Sequence, residues 1–111
     1  TVASSTADYT IVFPHWGVEY EKEPSTFQKN WAHKFIDAGA DTVIGAHPHI
    51  TQTIEWYKEK PIVYSMGNFI FDQYANDDLK SGLMVKITLD EIPHYEFIDI
   101  YAEKSQPAIT K

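Results

Sequence analysis

The chain contains no cysteine, so disulfide bridges and thiolate metal sites are excluded. It has no run of basic residues. Nine Lys and Arg stand against sixteen Asp and Glu, a formal net charge of −7 with histidines neutral, which argues against nucleic acid as a partner. The same charge repels a polyanionic substrate unless a metal ion or a local cationic pocket reverses the field near the site. No apolar run reaches the ~20 residues that cross a bilayer, and no signal-peptide pattern is present. There is no internal repeat and no low-complexity stretch. The opening "TVASSTAD", residues 1–8, reads as a polar lead-in without an initial Met, as expected of a processed form or an excised piece. What is present is a 111-residue chain that is 43% hydrophobic and 14% aromatic, enough for one folded domain with a modest core.

Hydrophobic patterning divides the chain as follows. "TIVFP", residues 10–14, is β-branched and aromatic and predicts a strand. Residues 25–38 predict a helix, with Ser25 and Gln28 in capping-box spacing. Phe27, Trp31, Ala32, Phe35 and Ile36 form its apolar stripe, read as core, and Gly39 ends it. His33 lies off that stripe and reads as exposed. "DTVIGA" predicts a short buried strand, "ITQTIEWY" an alternating one, "KEKP" a turn and "IVYS" another strand. "MGNFIFDQYANDDLKSG" reads as a long loop. "LMVKITL" and "YEFIDIYAEK" read as strands joined by "DEIPH", with His94 beside Pro93 as turn chemistry. The order implies an α/β fold: one right-handed βαβ unit with parallel strands, followed by a largely antiparallel meander.

Ligands of open α/β sheets bind past the carboxyl ends of the strands. His15 follows the first strand, and His47 and His49 follow the second. If those strands are neighbours, all three histidines meet at one sheet edge, and that convergence says more than any one of them. Pro48 biases His47 toward an extended backbone, in which residues i and i+2 face one side with Cα atoms roughly 6–7 Å apart. Such a pair could grip one metal ion, or each histidine could take one ion of a pair. Imidazole suits Zn, Fe, Ni or Cu, and carboxylates also suit Mn and Mg. Glu19, close to His15 in the same loop, is the candidate catalytic base or the partner that fixes a histidine tautomer. Its plainer reading is a solvated loop charge. Gly17 offers close backbone approach to a ligand, Trp16 is a candidate for the pocket wall, and Tyr64, Phe69 and Phe71 read as core or pocket lining.

At "HWGVEY", "DAGADTVIGAHPHI" and "YSMGNFIFD" the chain resembles the bacterial poly-gamma-glutamate capsule synthesis family of the CapA type, within the calcineurin-like metallophosphoesterases. The resemblance runs from about Asp8 to Gly82. It implies a partial metallophosphoesterase-like α/β/β/α sandwich, with residues 1–111 as the C-terminal portion of the domain. It also implies a dinuclear site of divalent ions such as Mn, Zn or Fe. His15, His47 and His49 match the family's metal-ligand positions, and the remaining aspartate and asparagine ligands are expected upstream of Thr1. The chain departs from the pattern at Ala46, where the family often carries a further histidine. Asn68 and Asp72 belong to the family's later motif and receive no metal role, because the metal asparagine precedes the histidine pair.

The implied function is capsule biosynthesis on the extracytoplasmic face of the cell envelope. One form is a metal-dependent hydrolase or transferase acting on a phosphoester or on an envelope polymer such as poly-gamma-glutamate. The other is a non-catalytic scaffold or polymer-binding component working with membrane synthase components. An amidohydrolase barrel, which also uses His-x-His, needs eight βα units and does not fit the terminal meander. An uncovered sheet face or edge would favour self-association.

Overall fold

The computed structural model describes residues 5–68, 80–103 and 106–109. Strand β1 (Ile11–Val12) leads into helix α1 (Thr26–Asp37) and then β2 (Thr42–Ile44). Strands β3 (Ile54–Tyr57), β4 (Lys60–Val63), β5 (Ser81–Thr88), β6 (His94–Glu103) and β7 (Gln106–Ile109) follow. The first four strands form one sheet in the order β1-β2-β4-β3, and the last three form a second in the order β5-β6-β7. β1, β2 and β4 are parallel, with Val12 opposite Val43 and Val43 opposite Ile62. β3 runs antiparallel to β4, and β5, β6 and β7 form an antiparallel meander. This is the expected α/β arrangement: a βαβ unit, then a largely antiparallel region.

Helix α1 begins where its sequence says it should. The Ser25 hydroxyl accepts from the Gln28 N–H at 3.2 Å, and the Gln28 side chain accepts from the Ser25 N–H at 2.8 Å. Two of the orphan donors of the first turn are thereby satisfied. At the other end Gly39 takes φ +114°. Its N–H bonds the Ile36 carbonyl while that of Ala40 bonds Phe35, which is a Schellman closure. The helix packs Ala32 and Ile36 onto the sheet, in a core with Trp16, Ala40, Val43, Ile62 and Tyr64.

Four expectations need correction here. The strand expected from Ile50 is regular only from Ile54; before it the pairing continues irregularly, with Thr51 bridging Met66 and the Gln52 N–H donating to the Ser65 carbonyl at 3.2 Å. Phe27 and Trp31 are not core: they are 62% and 40% exposed, while Gln28, Ala32 and Ile36 are buried and Phe35 is packed against the core. His33 is not a free surface residue. Its ring stacks on Tyr57 at 4.0 Å and its Nε2 meets Glu55 at 2.9 Å, because β3 runs beside the helix. His94 is the first residue of β6, opposite Thr88, rather than part of the turn.

The turn between β3 and β4 places both Lys58 and Glu59 at positive φ, the twist that a two-residue hairpin favours. On β3 the side chains alternate. Tyr57 faces the helix, while Trp56 meets Tyr95 and Phe97 of β6 edge-on. Isolated bridges extend the pairing at the strand ends, His15 with Ala46 and Gly67 with Gly82. The second of these joins the two sheets. Among the described residues no helix is long and apolar enough to cross a membrane.

Candidate metal centre

Three adjacent parallel strands end at one edge of the first sheet, and each delivers polar residues there. β1 runs out to His15, β2 to His47 and His49, and β4 to Asn68. The ladder continues just past the strands: the Ala46 N–H bonds the Pro14 carbonyl, and the Trp16 N–H bonds the Ala46 carbonyl, both at 3.0 Å. Gly45 is required at this junction. A Cβ there would stand 2.2 Å from the Tyr64 carbonyl oxygen and 2.4 Å from Trp16 Nε1, two atoms that are hydrogen-bonded to each other at 2.9 Å. Trp16 is therefore part of the buried core and not of a pocket wall. Gly17 has an internal reason too: φ is +83°, and its missing side chain leaves room for the amide of Gln28.

The extended exit expected after Ala46 is not what the chain adopts. His47 has φ +107° and His49 φ +62°, so the segment turns twice instead of running straight. Pro48 discourages the right-handed helical region at His47 but does not forbid a positive φ. Histidine tolerates this region better than most residues, yet such a conformation is held only where the surroundings over-determine it. Here they do: Pro48 is fully buried, and its carbonyl accepts from the Tyr20 N–H at 2.7 Å. Tyr20 is itself at φ +68°. Among the described residues, three of the five non-glycine residues at positive φ thus lie in this small region, a clustering typical of functional sites.

The bent backbone still brings the histidines together. The ring centroids of His47 and His49 are 5.9 Å apart, and His15 lies 4.4 Å from His47. Glu19 reaches in from the loop after β1, with Oε1 3.5 Å from His49 Nε2. One ligand atom from each of Glu19, His47 and His49 falls within 4.8 Å of the others. His15, exposed at the rim, stands against His47 and outside that threesome. Asp72, Phe69 and Phe71 lie outside the described residues.

A buried amide chain holds the loop that carries Glu19. Gln28 Nε2 donates to Gln52 Oε1 at 2.9 Å, and Gln52 Nε2 donates to the carbonyl of Glu21 at 2.8 Å. Both glutamines are almost fully buried. Behind the site, the Tyr64 hydroxyl donates to Glu55 at 2.6 Å. Burial and then the Glu55 carboxylate push that phenol well above its ordinary range. At Glu55 burial acts upward, but the bonds from Tyr64 and His33 outweigh it and leave the carboxyl below its usual value.

The donor set fits a divalent cation. Bonds of about 2.0–2.2 Å to one ion hold its ligand atoms about 3–4 Å apart, so atoms within 4.8 Å close on it with small side-chain rotations. Two imidazoles and a carboxylate suit Zn, Mn or Fe. Among the described residues this is the single group of three or more such donors. Asn68 is named from the sequence only as part of a later family motif and is given no role there. It is 5% exposed, and its Oδ1 lies 2.9 Å from His49 Nδ1. Its place past the end of β4, third in the parallel row, was the available signal.

Comparison with known proteins identifies the family of the chain. The family model for the bacterial capsule synthesis protein PGA_cap matches residues 1–73, a stretch that holds all four groups of the site and stops before β5. Capsule biosynthesis protein CapA of Bacillus anthracis is 49% identical over 67 residues, 60% of this chain and 16% of that protein. PGA biosynthesis protein CapA of Bacillus subtilis is 46% identical over 71 residues, 64% of this chain and 19% of that protein. A probable polyglutamine synthesis accessory protein of Mycobacterium tuberculosis is 38% identical over 65 residues, 59% of this chain and 17% of that protein. The chain thus spans less than a fifth of the length of these relatives. With two thirds of its residues under the family model, and with the matched segments meeting at one sheet edge, the chain belongs to the bacterial capsule synthesis protein family PGA_cap.

Proposed function

We propose that this chain contributes a divalent-metal centre to a capsule biosynthesis protein that works on a polyglutamate-type envelope polymer, on the extracytoplasmic face of the membrane. The carrying observation is the threesome of Glu19, His47 and His49, with His15 beside it, in a chain of the capsule synthesis family. His47 and His49 would hold the ion through ring nitrogen, and Glu19 would hold it through a carboxylate oxygen. His15, exposed against His47, is free to meet either a second ion or a substrate oxygen. A divalent ion at this place supplies Lewis-acid polarisation of a phosphoryl or carbonyl oxygen. It also supplies positive charge in a chain of net charge −7, which an anionic polymer would otherwise avoid.

The name of the Mycobacterium relative, an accessory protein, favours a second reading in which the protein handles the polymer without cleaving or transferring it. One experiment separates the two. His47→Ala and His49→Ala are introduced together into the full-length protein, and capsule formation and Zn²⁺ and Mn²⁺ binding are measured. The metal reading expects both to be lost. Intact metal binding would overturn the assignment of the site, and lost metal binding with normal capsule would favour the accessory role.

A further inference from the structure

Asn68 belongs to no part of the donor set, yet its carboxamide is buried against a donor. Asn68 Oδ1 is 2.9 Å from His49 Nδ1, while His49 Nε2 faces Glu19 Oε1 at 3.5 Å. A carboxamide oxygen can only accept, so the Nδ1 nitrogen must carry the proton in this contact. A neutral imidazole has one proton, so Nε2 is then the bare nitrogen. The bare nitrogen is the one turned to Glu19. We propose that Asn68 is the positioning residue of this centre: it fixes His49 in the Nδ1–H tautomer and aims the Nε2 lone pair at the ion.

The position of Asn68 supports the assignment independently of any ion. It follows β4, the third parallel strand of the row, and the backbone leading to it is anchored to β5. The Asn68 N–H donates to the Ser81 carbonyl, and the Leu83 N–H donates to Met66. Gly82 leaves no room for error there, since a Cβ on it would stand 2.0 Å from the Asn68 carbonyl oxygen. The segment is therefore pinned between the two sheets, and a pinned acceptor fixes the Nδ1 side of the ring, while Tyr20 and Glu19 lie against its other sides. At His49, where φ is +62°, the backbone alone does not set the ring. Groups of this kind, one bond removed from the metal, are worth about 10–100-fold in affinity.

The inference rests on the metal reading for its purpose but not for its test. Long-range ¹H–¹⁵N correlation spectra of the metal-free protein, recorded at a pH where the spectra themselves show the ring neutral, report the His49 tautomer directly. Zn²⁺ titration calorimetry reports affinity. The wild type is expected to show Nδ1–H at His49. Asn68→Ala is expected to show mixed tautomers with Zn²⁺ binding weakened about 10–100-fold. Asn68→Asp keeps the acceptor, so it should retain both the tautomer and an affinity within about threefold, even if the alanine variant fails to fold. A wild-type His49 that is protonated on Nε2 overturns the proposal, as does an alanine variant that binds Zn²⁺ like the wild type. A wild type that shows the Nδ1–H tautomer but binds no metal overturns the metal reading while supporting the hold of Asn68 on the ring.

Discussion

Replacing Gly45 by alanine tests whether the site depends on the close approach of two backbones and the Trp16 indole. The added Cβ would sit 2.2 Å from the Tyr64 carbonyl oxygen and 2.4 Å from Trp16 Nε1, well inside contact distance. Neither can give way cheaply. Tyr64 follows β4 directly, and Gly45 is itself tied on both sides, its N–H to the Val63 carbonyl at 2.7 Å and its carbonyl to the Met66 N–H at 3.2 Å. Overpacking of this sort costs about 1–3 kcal/mol. The methyl also wedges apart the Trp16–Tyr64 bond, and a buried polar group left unpaired costs about 1–3 kcal/mol more. The expected loss is about 4 kcal/mol, a large share of the roughly 5–15 kcal/mol that holds a small domain together. Urea unfolding followed by tryptophan fluorescence and circular dichroism measures it. Gly17→Ala is the comparator. Its Cβ meets no backbone atom but crowds the hydrogen-bonded amide of Gln28, so strain on the amide chain adds to the cost of the positive φ, about 1–2 kcal/mol. A loss below about 1 kcal/mol for Gly45→Ala would refute the reasoning.

Gln52→Leu keeps the volume but deletes the partner of Gln28 and the donor to the Glu21 carbonyl. It should cost about 2–4 kcal/mol in thermal unfolding and weaken Zn²⁺ binding by loosening the Glu19 loop. Unchanged stability would count against the amide chain. Tyr64→Phe removes one of the bonds that hold the Glu55 carboxyl below its ordinary value. A depressed carboxylate contributes stability above the ordinary glutamate value and loses it as pH falls through the folded value. The deficit of Tyr64→Phe relative to wild type should therefore be larger at about pH 7 than at about pH 3. A deficit independent of pH in urea titrations would show that Glu55 is not the partner that matters.

The parts of the molecule that could be read from sequence are those governed by local rules. Ser25, Gln28 and Gly39 marked both ends of the helix, because caps depend on few residues close in the chain. The parallel row could be inferred from strand–helix–strand order, and with it the meeting of His15 and His47. Features set by distant contacts could not be read in this way. The positive φ of His47 depends on Tyr20 holding Pro48 from another loop, and local preference pointed the other way. β7, at Gln106–Ile109, carries a proline that weakens any strand signal, and it pairs as an edge of the second sheet. His33 looked free because its partners, Glu55 and Tyr57, are more than twenty residues away in sequence. The tie between His49 and Asn68 is equally remote, nineteen residues along the chain.

The capping box of α1 has a consequence beyond the helix itself. One side chain, Gln28, accepts from the Ser25 N–H and also donates to Gln52, which in turn holds the carbonyls around Glu21. The first turn of the helix and the loop bearing Glu19 are therefore one opening unit rather than two. Fraying of that turn, ordinarily the least protected part of a helix, removes the anchor of the acidic arm of the site at the same moment. Local unfolding here sets an upper limit on how long Glu19 stays in place, so the lifetime of the assembled centre is written in the exchange rates of a few amide protons at the start of α1.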